Sequence, residues 1–199
     1  MNLADVKLVY VLSCFVLGLI ILSPTLLAVV SFTEGERFSE LYLLGSNRMG
    51  EDYPFNVAED SVYTVFLGVG NQMGTLESYL VYVKLGNQTN QLSDGEAELP
   101  SSLVPVFEYR LFLDNDEVWE KEVSFAFHGV EFEENISRVS GFSINEHNTD
   151  VNKVTFWDEE TSGFFYRLFF ELWFYNTETS SFEFHDRSVG LQLNMTSSS

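Results

Sequence analysis

The chain has 199 residues, with 10 Lys and Arg against 30 Asp and Glu, a formal charge of −20, and 16% aromatic residues including 19 Phe. So acidic a surface repels phosphate backbones and excludes nucleic acid as a partner, leaving cationic, neutral or glycan partners; aromatics spread along the chain exclude a disordered acidic tail. The one cysteine, Cys14, excludes an intrachain disulfide and reads as small apolar filler within an uncharged run.

That run, Leu8 to Phe32, carries no charged side chain. At about 1.5 Å per residue, Leu8 to Val30 makes a rod of about 34 Å, against a hydrocarbon core of about 30 Å. The spacing therefore predicts a short cytoplasmic tail over 1–7, a transmembrane helix over 8–32, a stalk over 33–37, an extracytoplasmic domain over 38–196 and a polar tail over 197–199. Lys7 and the terminal amine before the run, against Arg37 after it, give a bias of about one charge toward N-in. Three Asn-x-Ser/Thr triplets, at Asn87, Asn135 and Asn194, favour an outside location for the rest and are candidate glycosylation sites. The rival reading is a signal peptide cleaved near Val29-Val30-Ser31, but the run exceeds the roughly 7 to 15 residues of a signal core.

Beyond the stalk the patterning is that of strands. Phe38–Gly45 is a first strand closed by glycine, Pro54–Val57 a short edge piece, and Ser61–Val69, apolar on both faces, a central strand. Leu76–Leu85 alternates moderately, and the polar stretch Asn87–Leu103 reads as a long exposed loop. Phe107–Leu113 and Val118–His128 flank the turn Asp114-Asn115-Asp116 and read as a β-hairpin. Val130–Asp150 is polar, with a strand only over Val139–Ile144, and Lys153–Trp157 is a short strand. Gly163–Tyr175 (GFFYRLFFELWFY) is the strongest element. Phe164, Tyr166, Leu168, Phe170, Leu172 and Phe174 make its core face, and Phe165, Arg167, Phe169, Glu171, Trp173 and Tyr175 the other, where Arg167 and Glu171 are spaced to pair. A turn at Asn176–Ser180 leads into Ser181–His185 and Val189–Leu193. Strands at regular spacing with turns between them predict an antiparallel β-sandwich of immunoglobulin-like type, with Asn87–Leu103 and Val130–Ser162 as elaborations.

The order Ser39-Glu40-Leu41-Tyr42-Leu43-Leu44-Gly45, then Tyr53-Pro54, then Val65-Phe66-Leu67-Gly68-Val69-Gly70-Asn71, then Trp119-Glu120-Lys121 before Val123-Ser124-Phe125 resembles an archaeal membrane-protein family known as domain of unknown function 1616. The resemblance runs over most of Phe38 to Leu193. It implies an immunoglobulin-like sandwich outside the membrane and supplies no catalytic residues; larger members carry several spans where this chain has one.

Candidate chemistry is sparse. His128, His147 and His185 are the only histidines; with Glu131 and Glu133 near His128 a metal site is conceivable, but no close His/Cys spacing supports it, and solvent-facing strand histidines are expected. Asp114–Glu117 lacks the ligand spacing of a calcium loop and reads as an acidic turn, and Asp158, Glu159 and Glu160 as a hydrated loop. There is no Gly-x-Ser-x-Gly elbow and no phosphate-cradling loop. No catalytic, metal or cofactor residue is assigned. Phe165, Phe169, Trp173 and Tyr175 form a partner-binding face if left uncovered. The leading expectation is a non-catalytic, membrane-anchored accessory or surface-layer protein with a protein partner in the envelope or secretory pathway. The alternatives are a glycan-binding module using exposed Trp side chains, for which Trp119 and Trp157 are further candidates, and a metal-dependent envelope hydrolase.

Overall fold

The computed structural model describes residues 3–31, 37–90 and 99–197. It divides into two compact units, Met1–Arg37 and Phe38–Ser199. The first is a single helix, α1 (Leu3–Ser31), begun five residues before the uncharged run. Its window Val6–Ser23 has a mean hydropathy of 2.4 with no residue buried, so α1 is long and apolar enough to cross a membrane. Most of the expected stalk, residues 33–36, and the terminal residues 198 and 199 lie outside the described residues.

Among the described residues the regular structure of the second unit is all strand: β1 (Phe38–Leu44), β2 (Asn56–Ala58), β3 (Tyr63–Gln72), β4 (Glu77–Asn87), β5 (Phe107–Leu113), β6 (Val118–Glu133), β7 (Ile136–Ile144), β8 (His147–Asp158), β9 (Gly163–Asn176) and β10 (Ser181–Thr196). One antiparallel layer runs β1-β3-β6-β7-β8. The other runs β5-β4-β9-β10-β2, antiparallel except that β2 lies parallel to β10. The end of β8 pairs Trp157 and Asp158 with Phe164 and Gly163 of β9, so the layers are joined along that edge as one curled sheet. Two layers of mainly antiparallel strands, with the early strands split between them and the last strand, β10, set between β9 and β2, make the immunoglobulin-like sandwich the alternating pattern predicts.

The core lies between the layers because alternation sends every second side chain inward. Val65, Leu67, Phe125, Phe127 and Phe142 from one layer meet Tyr79, Val81, Tyr166, Leu168 and Phe170 from the other, all buried. Phe127 is tilted against both layers, its ring lying 5.3 Å from Phe142 and 5.9 Å from Tyr166.

Three expectations are corrected. The turn at Asp114–Glu117 does not close a hairpin: β5 pairs with β4 and β6 with β3, so the turn crosses between layers. Asn71, fully buried at the end of β3, holds that crossing. Its amide donates to Leu113 O at 2.8 Å and Asp114 O at 3.2 Å, and its backbone N–H to Glu117 O at 2.9 Å. Val130–Ser162 is no elaboration, for it completes β6 and supplies β7 and β8, with Val139, Phe142 and Ile144 in the core. Nor does the connection after β4 stay clear of the fold: its described stretch 99–106 returns to the outer face of the second layer, where Val106 N–H donates to Val83 O at 2.8 Å.

Candidate functional site

The outer face of β9 is where the sequence places its aromatic stripe, and its neighbours decide what remains open. Phe165 and Phe169 are each only 3% exposed, and Phe55 packs on Phe165 at 6.1 Å. Trp173 is half-buried, with Tyr82 edge-on at 5.5 Å and Phe184 at 5.9 Å, while Tyr175 stays exposed beside Phe182. The four therefore do not form one open stripe.

Between them lies a buried charge pair. Glu171 pairs not with Arg167 but with Lys84 of β4, Nζ to Oε2 at 2.7 Å, both side chains buried. Arg167 faces Gly86 and Gln192, whereas Glu171 lies two same-face positions along β9, opposite Tyr82 and Ser188. Ser101 completes the clasp: its N–H donates to Glu171 Oε1 at 2.7 Å and its carbonyl accepts from Lys84 Nζ at 2.6 Å. A backbone donor and acceptor from the covering segment thus satisfy both charges, as buried ions require.

On the β10 side the surface opens. A hollow of about 300 Å³ is lined by Arg167, Phe169, Ser188, Gly190 and Gln192. Arg167 is half-buried and its guanidinium pairs with no carboxylate among the described residues. The adjoining edge of β10 is also unpaired among the described residues. Asn194 N–H donates to Phe55 O at 2.7 Å on the β2 side. Because strand residues repeat every two, Gln192, Gly190 and Ser188 turn their backbone groups the same way, and β2 pairs only with Asn194 to Thr196. This edge, SVGLQ, carries no charge and no proline, the usual guards of an open strand.

A polar cluster invisible to spacing rules joins both layers near the start of β1. Ser39 Oγ lies 2.6 Å from Tyr79 OH and 2.8 Å from His185 Nε2, and Tyr79 OH donates to Asn71 Oδ1 at 3.1 Å. Ser39 and His185 stand 146 residues apart, so sequence reading had no signal for the contact. Although a Ser–His pair is the raw material of nucleophilic catalysis, Ser39 is buried and its hydroxyl is committed to Tyr79. His185 is half-buried between the rings of Phe174 and Tyr79, which corrects its expected solvent-facing place; burial first, and then Arg187, hold its pKa below the ordinary 6.5.

The family model described as "Domain of unknown function (DUF1616)" matches residues 32–137, just over half of the chain. The chain belongs to this family. The match covers β1 to the first residues of β7, a shorter stretch than the resemblance suggested, so β8 to β10 of this DUF1616 member lie beyond it. Among curated proteins none matches. Among solved structures, the CARDB domain of a Pyrococcus furiosus protein, crystallised with di-metal ions, is similar at 10% identity and a TM-score of 0.39, covering 81% of this chain and 90% of that one. A Listeria innocua β-glucosidase in complex with gluconolactone is similar at 9% identity and a TM-score of 0.37, covering 80% of this chain and 17% of the enzyme.

The other candidates of this DUF1616 member are separated in space. His128 binds Asp60 through Nδ1 at 2.6 Å and Ser143 through Nε2 at 3.0 Å, and His147 lies against Phe107 at 5.7 Å. Among the described residues no three His, Cys, Asp or Glu side chains converge as metal ligands. The oxygens of the acidic turn serve the turn, Glu117 accepting from Asp114 N–H and Asn115 from Gly74 N–H. Asp158 likewise caps the β8–β9 turn, accepting from Glu160 and Thr161, and the Thr161 N–H bond chiefly lowers its pKa. Trp119 is half-buried against Tyr109, whereas Trp157 is exposed.

Proposed function

We propose that this DUF1616 member is a membrane-anchored, extracytoplasmic accessory protein of the archaeal cell envelope that works by binding an extended segment of a partner along β10. The observation that carries the reading is the bare, uncharged β10 edge beside the hollow at Arg167. An added strand satisfies the unpaired backbone groups of Ser188, Gly190 and Gln192, as in strand-addition complexes. Its side chains supply a group for the hollow and a carboxylate for Arg167. The apolar length of α1 and the sequons support a retained anchor with the β-domain outside.

The test uses the full chain in native membranes, with a photo-cross-linking side chain at Gln192. A discrete adduct is expected, and it is lost in Ser188→Pro, which removes an N–H the domain's own ladder does not use. An adduct unchanged by Ser188→Pro, or none at all, overturns the reading. Binding of glycans through Trp157 is a second reading, favoured by the exposure of that indole; equal glycan-array signals for wild type and Trp157→Ala would remove it.

A further inference from the structure

The free stretch of β10 is closed at both ends. At one end the chain arrives from the layer of β1, where Tyr53 OH donates to Leu43 O at 2.8 Å; Phe55 O then takes the Asn194 N–H, and β2 runs parallel to β10 over Asn194 to Thr196. At the other end the register shifts between Phe184 and Arg187, and Arg187 Nε donates to Ser39 O at 3.4 Å. Between these ends Ser188, Gly190 and Gln192, all exposed, turn their N–H and carbonyl groups outward. The edge therefore takes about five residues of a partner, and a longer chain laid along it meets Phe55.

Charge along this slot is lopsided. Asp186 and Arg187 offset one another at the Ser188 end, and Glu171 is committed to Lys84 and Ser101. Arg167, opposite Gln192 in the register, keeps a guanidinium with no carboxylate partner among the described residues, in a chain of formal charge −20. A half-buried cation left without a counter-charge is costly, and a carboxylate held through two parallel N–H bonds is its complement. Beside Arg167 the hollow runs between Gly190 and Phe169. A Cβ added at Gly190 would stand 2.7 Å from Phe169 Cβ, so the glycine keeps this place open in front of the ring.

From the bounded edge and the unpaired cation at its blocked end, we infer that the partner segment is the free C-terminal tail of another envelope protein, lying parallel to β10 in line with β2, its terminal carboxylate held by Arg167 and the Gln192 N–H. This rests on the strand addition proposed above. The direction follows from charge and space: an antiparallel tail sets its terminal ammonium, or a chain that must continue, against Arg167 and Phe55. β2 supplies the register. Asn194 N–H donates to Phe55 O, and one repeat earlier the Gln192 N–H meets the tail's carboxylate in the same way. The terminal residue's N–H then donates to Gly190 O, and the carbonyl of the third residue from the end accepts from Gly190 N–H. The penultimate side chain lies beside Gly190, in front of Phe169. Capture of a chain terminus by backbone groups and strand addition to a sheet edge are both general modes of peptide recognition.

The test applies the full chain, in mild detergent, to two arrays of hexapeptides randomised at their last five positions, one array with free C-termini and the other with amidated ones. Binding to the free carboxylates, weaker on the amides by about tenfold or more, is expected. Arg167→Gln, which breaks no ion pair among the described residues, removes this difference, Arg167→Lys restores part of it, and Ser188→Pro abolishes binding to both arrays. Equal binding to the two arrays that is still lost in Ser188→Pro overturns the C-terminal inference and leaves strand addition standing, as does a carboxylate preference that survives Arg167→Gln. Binding indifferent to Ser188→Pro overturns both. No binding to either array overturns the inference, and the Gln192 cross-link then decides strand addition by itself.

Discussion

Lys84 Nζ stands 2.7 Å from Glu171 Oε2 on the outer face of a sheet, a place where charge is ordinarily left to water, yet both side chains are buried. The 99–106 segment has been drawn over them, and Ser101 is the point of attachment through both its N–H and its carbonyl.

Breaking this pair from one side is therefore costly. Lys84→Met or Glu171→Gln is expected to destabilise the β-domain by about 3 kcal/mol or more, because an uncompensated charge stays buried. The double variant Lys84→Met/Glu171→Leu costs less than the sum of the singles. Denaturant titration of the full chain in detergent, followed by tryptophan fluorescence, gives all three values.

Asn71 carries a comparable burden at the layer crossing. Its amide donates to Thr75, Leu113 and Asp114 carbonyls, and its oxygen accepts from Met73 N–H and Tyr79 OH. Asn71→Ala leaves several of these groups buried and unpaired, at about 1–3 kcal/mol each. A loss of several kcal/mol in unfolding free energy is expected from denaturant titration, and a loss below about 1 kcal/mol would show that the crossing holds itself.

The first sheet has an analogous contact without charge. Gly68 lies across from Tyr42, and a Cβ added at Gly68 would stand 2.0 Å from the ring carbon Cζ. Gly68→Ala must push the ring off the sheet, at an expected cost of about 1–3 kcal/mol. The companion variant Gly68→Ala/Tyr42→Ala recovers part of that loss if the ring is the cause. Thermal unfolding of both variants decides it.

Stability also depends on pH through His185. Its folded pKa is lowered, first by burial and then by Arg187, with Asp186 and Glu77 acting the other way. The unfolded chain thus takes up the proton first as pH falls, so this contribution is full above about 6.5 and is lost through the acidic side of that value. The slope from one proton is at most about 1.4 kcal/mol per pH unit. His185→Gln is expected to flatten the profile between pH 5 and 6.5, and an unchanged profile would remove His185 as its source.

How much of this was legible in the sequence follows from which interactions are local. The uncharged run, the two-residue alternation of β3, β4 and β9, and the turn residues between strands depend on near neighbours, so they gave the apolar helix, the strands and the sandwich. The hairpin assigned to Asp114–Asp116 failed because strand pairing depends on which layer each partner joins, and Asn71, more than forty residues away, makes that choice. The polar look of Val130–Asp150 hides the full extent of β7 and β8, of which the pattern predicts only Val139–Ile144 and Lys153–Trp157 as strands, because outward residues such as Arg138, Ser140, Asp150 and Asn152 are polar while Val139, Phe142, Ile144 and Val151 feed the core.

The candidate site divides in the same way. Sequence alone determined that β9 has two apolar faces, that the domain is acidic and that three asparagines are eligible for glycosylation, since each is a property of residue type and spacing. Only the tertiary structure decided that Glu171 meets Lys84 rather than Arg167, that Phe165 and Phe169 are covered, and that the side-chain amides of Asn87 and Asn194 bond Val154 and Asn56. Those outcomes turn on which distant segment arrives to exclude water, and no periodicity within a strand encodes that arrival.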